Sequence, residues 1–123
     1  MADSTSVNLY KLAYGALKLQ EGRVDIISDD LNFPSDLYIL QSVCNLFGDG
    51  AHVEVIPSVD GIHGPVEQLA QALDGDTALL SLSHTVFKSG YVYDMTSVTR
   101  LAHQAGAMIL WDLSHSVGVV PID

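Results

Sequence analysis

Apolar residues recur along the chain at two spacings, one helical and one extended, and the two alternate. Val7, Leu9, Leu12, Ala13, Ala16 and Leu17 follow a helical period behind Ser4-Thr5-Ser6, hydroxyls that suit an N-cap, and predict a helix to about Gln20. Glu21-Gly22-Arg23 breaks it, Val24 to Ser28 reads as a short strand, and Asp29 to Asn32 as a loop. Pro34 suits a helix start, where its missing N–H has no intrahelical partner to lose. That helix runs through Leu37, Leu40, Val43 and Leu46 and stops at Gly48-Asp49-Gly50. His52 to Ile56 alternates like a strand, and Pro65 opens a short helix with Val66, Leu69, Ala70 and Leu73 on one face.

Thr77 to Ser83 is a mostly apolar strand, and Phe87 to Tyr93 a loop or short hairpin around Ser89-Gly90. Asp94 suits the cap of a helix from Met95 to about Gln104, and Gly106 the left-handed turn after it. Ala107 to Asp112 is a further apolar strand, and Val119-Val120 a last short one. Apolar strands that do not alternate are what a sheet covered on both faces requires. The order predicts an α/β fold: a three-layer αβα arrangement with a mostly parallel sheet.

Composition narrows the function. The 123 residues, 48% hydrophobic and 16% charged, read as one globular domain. Fifteen acids against five bases give a formal charge of −10, and Lys11, Lys18, Arg23, Lys88 and Arg100 form no patch. Such a surface repels phosphate backbones, which argues against nucleic acid as a partner. No apolar run approaches the roughly 18–20 residues of a membrane helix, and Met1 to Ser6 lacks the basic and apolar regions of a secretory signal. Cys44 has no second cysteine to pair with, which fits a reducing compartment and makes the cytoplasm the expected location.

In parallel sheets ligands gather at the C-terminal ends of the strands. Four polar groups are expected there: Ser4-Thr5-Ser6, Phe33-Pro34-Ser35-Asp36, Ser83-His84 and Asp112-Leu113-Ser114-His115. An apolar strand ending in Asp112 puts a carboxylate at the sheet rim, where it can hold a protonated ring nitrogen or simply cap the next turn. His115, three residues on, can reach the same pocket. Ser4-Thr5-Ser6 offers hydroxyls and N–H donors for a phosphate, or an ordinary cap. Phe33 can stack on a flat ring or cover the start of its own helix. The histidines are scattered and predict no metal site. No Gly-rich nucleotide loop and no nucleophile elbow is present.

Taken together, Asp3 to Lys11, Asn32 to Tyr38, Leu82 to Gly90 with Asp94-Met95, and Trp111 to Gly118 resemble the kynureninase family. These are fold-type-I pyridoxal-phosphate enzymes related to the class V aminotransferases; Asp112 to His115 alone fits only that wider superfamily. The resemblance covers nearly the whole chain. It implies pyridoxal 5′-phosphate as cofactor, with Thr5 and Ser6 on its phosphate and Phe33 stacked on the pyridine ring. It implies that Asp36 and Asp112 lie near the ring nitrogen, Asp112 as principal partner. Pro34 and Ser35 belong to the same contacting segment, and Ser83 and His115 make further contacts.

For a full-length parent the resemblance implies hydrolysis of L-kynurenine or its 3-hydroxy form to an anthranilate and L-alanine, in tryptophan catabolism, by a homodimer. The family's Tyr-Lys pair, whose lysine bonds the cofactor, falls beyond Asp123. The chain is therefore expected to be an internal part of the large domain. It would lack the small domain and any catalytic residue, be inactive alone and retain cofactor weakly. Another class V enzyme, or a non-catalytic fragment, remains an alternative.

Overall fold

The computed structural model describes residues 4–117. The expected strand at Val119-Val120 lies outside them. Elements follow in the order α1 (Thr5–Leu19), β1 (Asp25–Asp29), α2 (Pro34–Phe47), β2 (His52–Ile56), α3 (Val66–Ala72), β3 (Thr77–Ser83), α4 (Met95–Gln104) and β4 (Met108–Asp112). The strands form one sheet in the order β2-β1-β3-β4, and every pairing is parallel. Parallel neighbours need crossover connections, which the helices supply.

Helices cover both faces. Ile26 packs with Leu9, Ala13 and Leu17 of α1 and Leu40 and Val43 of α2. Ile27, the next residue of the same strand, packs with Leu69 of α3 and Val98 and Ala102 of α4. Successive side chains of a strand point to opposite faces, so two buried isoleucines in a row require this three-layer arrangement. β3 lies inside the sheet and all seven of its residues are buried. Burying each of its leucines stabilises the fold by about 1.5–3 kcal/mol before entropy is counted.

Boundaries shift slightly from the sequence reading. Asp29 joins β1 and pairs with Ile56 instead of opening the loop. Its side chain is buried and accepts a hydrogen bond from Tyr93 Oη, which holds the residue in the sheet. Pro65 stands at the N-cap of α3 instead of inside it, because its ψ of 64° is not helical. The segment read as a loop or short hairpin is a loop closed by one isolated antiparallel bridge, Thr85 to Val92, and Gly90 turns the chain at φ +75°. Asp94 caps α4 by accepting from Ser97 N–H, and Ser4 caps α1 by accepting from Val7 N–H.

Candidate functional site

The C-terminal strand ends share one rim of the sheet, and Asp112 pairs with Ser83 in the β3–β4 register. There a cleft of about 330 Å³ opens between the start of α1, the start of α2 and the turn after β4. Thr5, Ser6, Phe33, Ser35, Asp36, Asp112 and His115 line it together with Ser4 and Ser114. Seven of the nine residues singled out from sequence therefore meet in one place. Their loops are brought together by long-range contacts, as between Thr5 Oγ1 and Ser114 Oγ at 3.3 Å.

The other two behave differently. Ser83 is buried outside the cleft lining, and its hydroxyl donates to Asn32 Oδ1 at 2.8 Å. Pro34 faces a neighbouring cavity. Asn32 opens the Asn32 to Tyr38 segment but has no site role in the sequence reading, and it organises this corner. It donates to Ser28 Oγ at 3.0 Å and accepts from the N–H of Phe33 at 2.8 Å. An asparagine just before an aromatic-proline pair is the available signal, since such side chains bind the backbone next to them.

Asp112 both caps and faces the cleft. Its Oδ1 accepts from Ser114 N–H at 2.8 Å and Ser114 Oγ at 2.5 Å, the local turn that sequence also allows. Asp36 lies beside it. Burial, then the proximity of Asp112, pushes the Asp36 carboxyl up to about 8. Asp36 Oδ2 is buried and meets no donor, so protonation turns the group into a donor toward Asp112. Burial works against ionised Asp112, but hydrogen bonds from Asp36 and Ser114 outweigh it and hold Asp112 below the usual carboxylate range. The two shifts run in opposite directions, which makes Asp36 the harder of the pair to ionise and Asp112 the easier.

Aromatic rings wall the cleft. Phe33, 38% exposed, meets Phe87 edge-on with centroids 4.9 Å apart and His115 at 6.0 Å. Its remaining exposed surface is available to a flat ligand. At the α1 end, Ser4 uses its side chain on Val7 and its carbonyl on Asn8, which leaves the first N–H groups of the helix for an anion.

The scattered histidines predicted no metal site. At the opposite rim the ligand atoms of Asp25, Asp74 and Asp76 come within metal-binding reach of one another, and His52 Nδ1 lies 3.1 Å from Asp25. Another cavity, about 400 Å³ between α1 and β4, shares Thr5, Asp112 and Ser114 with the cleft and is otherwise mainly apolar. Among the described residues no helix is long and apolar enough to cross a membrane.

The chain is 40% identical over 128 residues to a kynureninase of Pseudomonas fluorescens, across 100% of this chain and 29% of that protein. A kynureninase of Burkholderia pseudomallei (strain K96243) is 39% identical over 127 residues, with the same coverage. The chain thus spans less than a third of the length of these relatives. Among solved structures, the apo cysteine desulfurase of Thermococcus onnurineus NA1 superposes with a TM-score of 0.75 at 23% identity, over 93% of this chain and 28% of that one. C-DES carrying a glycine covalently linked to its PLP cofactor gives a TM-score of 0.72 at 21% identity, over 90% and 31%. Both show a shared fold, that of fold-type-I pyridoxal-phosphate enzymes. The aminotransferase class-V family model matches residues 3–123, and the chain belongs to that family.

Proposed function

We propose that the cleft binds pyridoxal 5′-phosphate and that the chain is part of the large domain of a kynureninase. The longer protein would hydrolyse L-kynurenine or 3-hydroxy-L-kynurenine to an anthranilate and L-alanine. The observation that carries this is the meeting of Thr5, Phe33, Asp36, Asp112 and His115 around one cleft. Identity to kynureninases along the whole chain supports it.

The donor set fits the group. The N–H and hydroxyl groups of Thr5 and Ser6 face an anion at a helix start, where the helix dipole adds to the attraction. Phe33 offers a ring for stacking. Ionised Asp112 pairs with a protonated pyridine nitrogen, and neutral Asp36 keeps the charge on Asp112 by donating to it. When bound, the cofactor supplies an electron sink for bond breaking next to the substrate's α-carbon. Among the described residues Lys11, Lys18 and Lys88 are absent from the cleft lining, so in this reading an amine for the cofactor's aldehyde would have to be supplied by another part of the longer protein. Ser83 acts indirectly in this reading, by fixing Asn32 and thereby the approach to Phe33. Lone, buried Cys44 fits a cytoplasmic location, and the family resemblance carries the homodimer.

The test has two parts. Pyridoxal phosphate titrated into the chain should bind weakly, and Asp112→Ala should weaken binding at least tenfold, since an ion pair to a ring nitrogen is worth roughly 1.5–3 kcal/mol. The longer protein should release L-alanine from L-kynurenine while the chain alone stays silent. Equal binding by wild type and Asp112→Ala would sink the cofactor site. A longer protein that leaves L-kynurenine untouched but acts on another amino acid would move the assignment elsewhere in the family.

A further inference from the structure

A second cavity, about 250 Å³, lies on the other side of the aromatic wall from the cofactor cleft. Asp30, Leu31, Pro34, Gly61, Phe87 and Lys88 contribute to its lining. Phe33 belongs to the first cleft and Phe87 to the second, and their rings are 4.9 Å apart, so the two spaces share a partition. Its volume suits a small solute, drug-sized ligands needing roughly 300–1,000 Å³.

Charge sets it apart. The chain has five Lys and Arg against fifteen Asp and Glu, so a cation is readily matched by an acid. Yet the Lys88 ammonium sits 5.6 Å from the Phe87 centroid and, among the described residues, no carboxylate pairs with it. Asp30 spends one oxygen on the N–H of Ser58 at 2.8 Å and likewise has no cationic partner. An unpaired acid and an unpaired base line the same small space, alongside apolar Leu31, Pro34 and Phe87. Both side chains are exposed, and a ligand that meets both in this space carries a carboxylate and an ammonium group.

We propose that this cavity is a binding site for a free zwitterionic α-amino acid, its carboxylate toward Lys88 and its ammonium toward Asp30. The site itself stands on the cavity and its charges. That its occupant is the substrate or the amino-acid product of the adjoining cleft rests on the function proposed above.

The experiment is an amide-resolved NMR titration of the full 123-residue chain. L-Kynurenine and L-alanine are the probes, with acetate and ethylamine as the separate halves. The amides of Asp30, Gly61 and Lys88 should shift saturably with either amino acid, and acetate and ethylamine should each bind at least roughly tenfold more weakly. Lys88→Met keeps the chain over Phe87, and Asp30→Asn keeps an acceptor for Ser58; each should weaken amino-acid binding by about tenfold or more. Absence of saturable shifts at these amides, or unchanged affinity in both variants, overturns the site. Pyridoxal phosphate added alone reports on Thr5, Ser6 and Asp112. Its failure with amino-acid binding intact rejects the cofactor reading only, and the reverse rejects this site only.

Discussion

Replacing Asp36 by asparagine tests the carboxyl pair on which the proposed cofactor site depends. Folded Asp36 titrates at about 8, against 3.8 for an aspartate in free solution. The native state therefore holds the proton more tightly than the unfolded chain does. The resulting stability is fully present below about pH 4 and is lost as the pH rises through about 8. At about 1.4 kcal/mol per pH unit, a window of roughly four units spans at most about 6 kcal/mol. Water entering the cleft screens the ionised form, and about 3 kcal/mol is the expected fall. Asp112 has the opposite sign. Its folded pKa is depressed, so its contribution is present above about pH 4 and disappears only in more acidic solution, outside this window. Urea unfolding of the chain at intervals from pH 5 to 8.5 measures the slope. Asparagine cannot ionise but still donates to Asp112, so the fall in stability of Asp36→Asn over the same range should be smaller than that of the wild type by about 3 kcal/mol, leaving only what other groups such as Asp29 contribute. Equal stability of the wild type at both ends, or a wild-type slope retained in Asp36→Asn, would refute the shared proton.

Two further substitutions probe the frame that carries the site. Tyr93→Phe removes the donor to Asp29 Oδ2, while Oδ1 already has no partner, so urea unfolding should show a loss of about 1–3 kcal/mol. Burial raises the pKa of Asp29, so the loss should grow with pH as the carboxyl ionises, and a pH-independent loss would argue against the contact. Leu80→Ala in β3, where the side chain is fully buried, should cost about 2–5 kcal/mol. Leu19→Ala, on a side chain 77% exposed at the end of α1, should cost less than about 0.5 kcal/mol in the same assay.

Local chemistry along the chain was enough to determine the order of the elements. Hydroxyls at Ser4 and a carboxylate at Asp94 mark helix starts, glycines mark stops, and apolar runs at Ile26-Ile27 and Ala78 to Leu80 demand cover on both faces. Because ligands in parallel sheets collect at strand ends, the same reading also pointed to Thr5, Phe33 and Asp112. What the chain order leaves open is which strand ends become neighbours. The β2-β1-β3-β4 order brings α1 beside the turn after β4, with Thr5 touching Ser114 across 109 positions. Packing also made Asp36 and Asp112 a proton-sharing pair and turned Ser83 toward Asn32. It left Asp30 and Lys88 facing one cavity. Propensity and capping act over a few residues and can be read in order. Burial, shared protons and unpaired charges depend on groups far apart in the chain, and exist only once the layers have closed.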